Sequence, residues 1–197
     1  PMSDIVTAAS ENDLPRLKLL LEQKADVEQK DEECGATPLI LASGNGHLEA
    51  VKFLIDAKAK LEARDDEHGQ TPLIRASEEG HVDVIRCLLG ARANLAAKDD
   101  GYGQTSLTWS SKNGHAEAVK YLIGAKANLE AKDNYGDTPL GFASRTSVEA
   151  VKHLVGAKAN LESNNHRGNT PLAFASYHGN VDAVKYLVEA KANLEAK

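Results

Sequence analysis

The chain has 197 residues, of which 42% are hydrophobic and 26% are charged, and this balance is typical of an ordinary folded protein. Its formal charge of −6 and its pI of about 5.7 argue against nucleic acid and anionic membranes as partners, because both require a basic face. There are only two cysteines, Cys34 and Cys87, and no apolar run is long enough for a membrane helix. A disulfide framework is therefore not expected, and a reducing, cytoplasmic location is favoured.

Two short helices are predicted in the first unit, residues 3–30. They run over about 4–10 and about 13–22, and the second has leucines at the spacing of one helical face. The unit lacks the T-P-L sequence that the rest of the chain repeats. This difference is typical of a terminal capping repeat, because one of its sides faces water instead of a neighbouring repeat.

A short pattern, G-x-T-P-L, recurs through the rest of the chain. Its successive threonines are 34, 34, 33 and 32 residues apart, at Thr37, Thr71, Thr105, Thr138 and Thr170. A period of this length indicates stacked repeats, in which each repeat contacts only its neighbours. The pattern therefore predicts a single array over 1–197, with repeats after the cap at 31–63, 64–97, 98–130, 131–163 and 164–197.

Each of these repeats carries the signals for two helices. The threonine is a good N-cap, and the proline after it fits the first helical turn, where its missing N–H costs nothing. Ser106 replaces the proline in the third copy. Apolar residues at helical spacing mark the second helix, which is predicted to begin near Leu48, Val82, Ala116, Val148 and Val181.

The period, and the T-P-L sequence followed by two helices, resemble the ankyrin repeat family over essentially the whole chain. The resemblance implies an all-α fold, an ankyrin-type helix-turn-helix solenoid with protruding β-turn or hairpin loops. It also implies a module for protein-protein interaction, and the absence of catalytic motifs predicts that the chain is not an enzyme. By the same resemblance, the positions that vary between equivalent repeats would be used for binding.

Two departures from the family pattern bear on the local structure. A basic residue stands after each second helix, where the family usually has the glycine that favours a left-handed conformation: Lys24, Lys58, Arg92, Lys126, Lys158 and Lys191. One residue is deleted around Arg145-Thr146-Ser147, which reduces the spacing from Thr138 to Thr170 to 32 residues. That loop is therefore a candidate irregularity in the surface.

The pattern of reactive side chains does not indicate a catalytic, metal or cofactor site. His47, His81 and His115 recur once per repeat, but stacked helices are about 8–10 Å apart and one zinc needs all its ligands at about 2.1 Å. A hydrogen bond at the start of the second helix is the role expected for them. The sequence has no C-x-x-C pair, no nucleophile elbow and no phosphate-binding glycine loop.

Aromatic and basic residues occupy the variable positions, mainly in the last three repeats, and this composition is typical of binding hot spots. The predicted partner-binding residues are Arg75, Tyr102, Trp109, Lys112, Tyr135, Phe142, Arg145, Arg167, Phe174, Tyr177 and His178. For Trp109, Phe142 and Phe174 a second interpretation stays open, in which they simply pack between first helices.

The favoured function is a module that binds a protein or peptide in its concave groove. One alternative is a structural spacer or a self-associating array, because no C-terminal cap follows the repeat at 164–197. Leu187, Val188 and Leu194 are expected on the face where a further repeat would dock. The other alternative is an accessory domain of a larger enzyme, channel or effector protein.

Overall fold

The structure, a computed structural model, describes residues 5–194. Those residues form twelve helices and no β-strand, which confirms the all-α prediction. The first helices of the six pairs are α1 (Ile5–Ser10), α3 (Pro38–Gly44), α5 (Pro72–Glu79), α7 (Ser106–Lys112), α9 (Pro139–Thr146) and α11 (Pro171–Tyr177). The second helices are α2 (Leu14–Glu22), α4 (Leu48–Asp56), α6 (Val82–Gly90), α8 (Ala116–Gly124), α10 (Val148–Gly156) and α12 (Val181–Glu189).

The first helices begin at the residues that the repeated threonine predicts. The hydroxyl groups of Thr71, Thr105, Thr138 and Thr170 each accept a hydrogen bond from the backbone N–H three residues later. Thr37 is the exception, since its side chain makes no capping bond. The five second helices that follow α2 all begin where the apolar pattern predicts them.

Contacts between residues divide the chain into two compact units, the first ending at Gly101 and the second beginning at Tyr102. In the first unit α3 packs against both α1 and α5, and in the second α9 packs against both α7 and α11. These first helices carry small, fully buried residues, as Ala42 and Ala143 illustrate. The single array over 1–197, its cap and its repeat boundaries stay predictions.

Hydrogen bonds to an Asp or Asn side chain hold the turns before α3, α5, α9 and α11 in a fixed shape. The Asp133 carboxylate accepts the backbone N–H groups of Tyr135 (2.8 Å) and Asp137 (2.9 Å). Successive turns of the second unit are also joined, because the His166 N–H donates to the Tyr135 carbonyl at 3.0 Å. The turn is therefore held by bonds that do not involve the side chain of the tip residue Tyr135, so the residue type at the tip can vary between repeats.

The basic residues that replace the family's glycine adopt the left-handed conformation, with φ between 64 and 73°. This geometry costs about 1 kcal/mol in a residue with a Cβ. We therefore expect Lys126→Gly to raise the free energy of unfolding by up to about 1 kcal/mol, since the Lys126 side chain is exposed and loses no buried contact. Urea denaturation would measure the change.

The matched control for that substitution is Lys120→Gly, in the middle of α8. There the backbone is helical, and glycine is expected to lower the free energy of unfolding by about 1 kcal/mol. A loss of stability in Lys126→Gly as well would contradict the strain assigned to the left-handed position.

The deleted residue shortens the connection between α9 and α10 to Ser147 alone. Ser147 ends α9 and also caps α10, and its hydroxyl accepts the Ala150 N–H at 3.3 Å. The Thr146 hydroxyl donates to the Ser111 carbonyl at 2.9 Å. In the first unit the ring of His47 makes the corresponding bond, to the Ser10 carbonyl at 2.8 Å. The expected irregularity is thus a change of donor: the Thr146 hydroxyl replaces a histidine ring in the hydrogen bond to the preceding first helix, and the packing of the first helices is preserved.

The last helix pair exposes part of its apolar surface. Val188 and Leu194 are 42% and 68% exposed, as the sequence predicts, and Val181 is 59% exposed. The prediction for Leu187 is wrong, because its side chain is fully buried.

Candidate functional site

The second unit contains a cavity of about 600 Å³ between the turn tips and the first helices α9 and α11. We call it the Arg145 groove. Six of the predicted partner-binding residues line it: Tyr135, Arg145, Arg167, Phe174, Tyr177 and His178. This set includes exposed side chains, which are open to a partner, and the buried side chain of Phe174, for which packing between first helices was the second interpretation.

Arg145 is fixed at the centre of the groove by stacking and by an ion pair. Its guanidinium carbon lies 3.8 Å from the ring centroid of Phe174 and 4.8 Å from that of Phe142. Its Nη2 donates to Oδ2 of Asp137 at 2.8 Å. Asn165 donates to the other oxygen of Asp137, Oδ1, at 2.9 Å. The arginine therefore has a defined position before any partner binds.

The sequence explains this arrangement. Phe142 and Arg145 are three residues apart on α9 and share one face of that helix. Phe174 stands at the same position of α11, which packs against α9, so its ring reaches the same guanidinium. Asp137 directly precedes the capping residue Thr138 and is thereby placed beside the helix that carries Arg145.

The rim of the groove carries exposed aromatic and basic side chains. Tyr135, at a turn tip, is 59% exposed, and Tyr177, at the end of α11, is 87% exposed. His178 packs edge to face against Tyr177, with their ring centroids 5.2 Å apart. Arg167 lies exposed on the next turn tip. These side chains can contact a partner without any change in the fold.

A second cluster of predicted residues, which we call the Lys112 cluster, lies in the same unit. It consists of Tyr102, Trp109 and Lys112. The Trp109 and Tyr102 rings pack edge to face with centroids 6.0 Å apart, and the Lys112 ammonium lies 4.1 Å and 4.9 Å from those two centroids. Cations over aromatic faces in this range are attracted to the rings.

Trp109, Phe142 and Phe174 are 6%, 6% and 8% exposed. They pack between helices, as the second interpretation of these residues states, and form the floor beneath the basic side chains. The partner-binding role predicted for the other residues stays a prediction. The remaining predicted residue, Arg75, belongs to the first unit, where it pairs with Glu78 at 3.4 Å and with Asp65 at 3.9 Å.

Comparisons with known proteins agree with this architecture. The family model "Ankyrin repeats (3 copies)" matches residues 5–99, 91–165 and 107–197. The chain belongs to the ankyrin repeat family. A solved ankyrin repeat domain from Acinetobacter baumannii AYE is 30% identical with a TM-score of 0.81, and the match covers 96% of this chain and 98% of that domain. No curated protein shows a significant match.

Membership in the ankyrin repeat family indicates a fold that generally serves protein-protein interaction and is not catalytic. In residues 5–194 of this ankyrin repeat chain, no group of His, Cys, Asp or Glu side chains is arranged to hold a metal ion. Burial raises the pKa of the Cys34 and Cys87 thiols, which makes both poor nucleophiles at neutral pH. No helix in the described part of the chain is long and apolar enough to cross a membrane.

Five residues of the Arg145 groove escaped the sequence analysis: Asp137, Asn165, His166, Asn169 and Ala173. Asp137 had a signal, because the residue before the capping threonine is alanine, glutamine, glutamine and asparagine in the other ankyrin repeats and is acidic only here. Asn165 had none, since it is a regular turn residue. Its amide contributes to the groove only because the two turns lie side by side.

Proposed function

We propose that this ankyrin repeat chain binds a protein or peptide partner in the Arg145 groove of its second unit. The observation that carries the proposal is the pair of exposed tyrosines, Tyr135 and Tyr177, beside a fixed arginine. Tyrosine and arginine are enriched among the residues that dominate binding energy. Because Arg145 is already held by Asp137 and two rings, little side-chain entropy is lost there on binding.

The proposal also covers the character of the partner and its location. A chain of net charge −6 is poorly suited to nucleic acid or to an anionic membrane surface. Both cysteines are free, which fits a reducing, cytoplasmic location. Catalysis, if it belongs to the same biological assembly, would come from another polypeptide or domain.

Peptides selected on the chain from a random displayed library test the proposal. We expect Tyr135→Ala and Tyr177→Ala each to raise the Kd of the selected peptides about tenfold, which corresponds to about 1.4 kcal/mol of binding free energy. The free energy of unfolding should change by no more than about 0.5 kcal/mol, because both side chains are largely exposed. Titration calorimetry would measure the affinities.

Lys120→Ala is the matched control for these tyrosines. Its ammonium is exposed and pairs with Glu117 at 3.6 Å on α8, a second helix that contributes no residue to the lining of the groove. Affinity should be unchanged in this variant. Peptides that lose affinity in Lys120→Ala and keep it in the tyrosine variants would place the binding site on the second helices.

Self-association is a second candidate function, favoured by the exposed apolar side chains of Val181, Val188 and Leu194. Exposed apolar surface of this kind promotes association. Sedimentation of the chain over a range of concentrations tests it. Self-association would be excluded if the chain sedimented as a monomer at every concentration, with no difference between the wild type and Val188→Lys.

A further inference from the structure

Two basic side chains of the second unit, Lys112 and Arg167, have no acidic partner in the described residues, although Lys120, Arg145, Lys152 and Lys185 do. No carboxylate in residues 5–194 lies within ion-pair distance of the Lys112 ammonium, which instead rests on two aromatic rings. Arg167 is likewise without an ion pair in the described part of the chain, and it is exposed at a turn tip. Lys112 ends a first helix and Arg167 lies on a turn tip, whereas Lys126 and Lys158, which also lack an ion pair in the described residues, follow second helices.

The one acidic residue that lines the Arg145 groove does not cancel this charge for a ligand. Asp137 is only 7% exposed, and its two oxygens are occupied by Arg145 and Asn165. The carboxylate is thus enclosed beneath the surface, while about a quarter of the Arg145 side chain (23%) is open to solvent. What a ligand meets in the groove is a positive surface with tyrosines at its rim.

In the first unit, a cation on the equivalent first helix is paired with acidic side chains. Arg75 occupies the position of Trp109 on its own first helix, and two acidic residues lie beside it, Glu78 at 3.4 Å and Asp65 at 3.9 Å. Glu78 in turn occupies the position of Lys112. The same two positions therefore hold an internal ion pair in the first unit and a cation on aromatic rings in the second.

We propose that the partner of the second unit is an acidic peptide segment in an extended conformation. Its Asp or Glu carboxylates pair with Lys112 and Arg167, a side chain between them lies against Tyr135, and one next to the second carboxylate lies against Tyr177. This inference rests on the function proposed above and specifies the chemistry of the partner. Charge-assisted pairs of this kind are stronger than neutral hydrogen bonds, and the aromatic floor keeps the cations in place.

The spacing of the repeats also predicts the spacing of the acidic residues. Lys112 and Arg167 belong to repeats that are two apart in the chain. The Lys112 ammonium lies over the ring of Tyr102, which occupies the position of Arg167 in its own turn. Neighbouring helices pack about 8–10 Å apart, so the two cations are separated by about 16–20 Å along the direction of stacking. An extended peptide rises about 3.3 Å per residue, which places the two carboxylates about five or six residues apart.

The test uses the full chain and peptides selected on it from a random displayed library. We expect the selected peptides to be enriched in Asp and Glu, with acidic residues at the spacing given above. Lys112→Gln and Arg167→Gln should each lower the affinity for these peptides about tenfold, and added salt should lower it further. Binding can be followed by the fluorescence of Trp109, the only tryptophan, whose ring lies 4.1 Å from the Lys112 ammonium.

Two controls keep the result interpretable. Lys120→Gln removes an exposed cation that pairs with Glu117, and it should leave the affinity unchanged. Arg167 makes no side-chain hydrogen bond in the described residues, so Arg167→Gln is expected to fold normally even if Lys112→Gln is destabilised.

The possible outcomes separate this inference from the proposed function. Selected peptides that are not acidic, yet lose affinity in Tyr177→Ala, would overturn the acidic partner and leave the groove as the binding site. Peptides that respond to no groove substitution would contradict both. A short oligothymidylate that binds as tightly as the acidic peptides, and with the same dependence on Lys112 and Arg167, would overturn the peptide in favour of single-stranded nucleic acid.

Discussion

Trp109→Ala should lower the free energy of unfolding by about 3–5 kcal/mol, the usual cost of deleting a buried tryptophan. The indole is 6% exposed, and the Tyr102 ring packs against it at a centroid distance of 6.0 Å. The Lys112 ammonium also loses the ring over which it lies. Because Trp109 is the only tryptophan, urea denaturation of this variant has to be followed by far-ultraviolet circular dichroism.

Two other variants serve as references for this measurement. Trp109→Phe keeps an aromatic ring at the site and should recover most of the lost stability. Tyr177→Ala removes an aromatic side chain that is 87% exposed and should change stability by no more than about 0.5 kcal/mol. If Trp109→Ala were as stable as Tyr177→Ala, the indole would have to lie on the surface, and it would become a candidate for direct contact with the partner.

Arg145→Ala should destabilise the chain by about 2–3 kcal/mol, since it leaves the carboxylate of Asp137 without its cation. Asp137 is 7% exposed and lies 2.8 Å from the arginine Nη2. The substitution also removes the guanidinium that stacks on Phe174 and Phe142. The cost falls short of that for a fully buried pair because the Arg145 side chain is 23% exposed. Urea denaturation would measure it.

A double variant shows whether the orphaned carboxylate is the cause. In Arg145→Ala combined with Asp137→Asn no unpaired charge is buried, so we expect the pair of changes to cost less than the sum of the two single ones. Asparagine is compatible with this position, since Asn169 occupies it in the following repeat. Strict additivity, or a wild-type stability for Arg145→Ala, would contradict the role assigned to the ion pair.

These expected losses of stability determine which residues can report on binding. A weaker partner complex in Arg145→Ala or Trp109→Ala would combine lost contacts with a disturbed groove. Tyr135, Tyr177 and Arg167 are exposed, and their substitution leaves the floor intact. Affinity measurements on these three are therefore the direct test of the groove.

The sequence by itself determined the helical architecture and most of the helix boundaries. The threonine that caps each first helix and the apolar spacing of each second helix act within a few residues, so they can be read without the fold. Lys58 and Lys126 were recognised in the same way, as cations in the place of a left-handed glycine, and both have positive φ. The six groove residues were found because variation at equivalent positions is visible in a repeated sequence.

Only the tertiary structure decided which of the variable side chains are buried and which pairs they form. Tyr177 and Phe174 are both aromatic residues of α11, yet the first is 87% exposed and the second 8%, because α9 covers only one side of that helix. The environment of Arg145 likewise depends on Phe174 from the next repeat and on Asp137, eight residues earlier. Burial and ion pairing are properties of contacts between repeats, whereas propensity and capping are properties of short segments, and for that reason the sequence could predict the second kind and not the first.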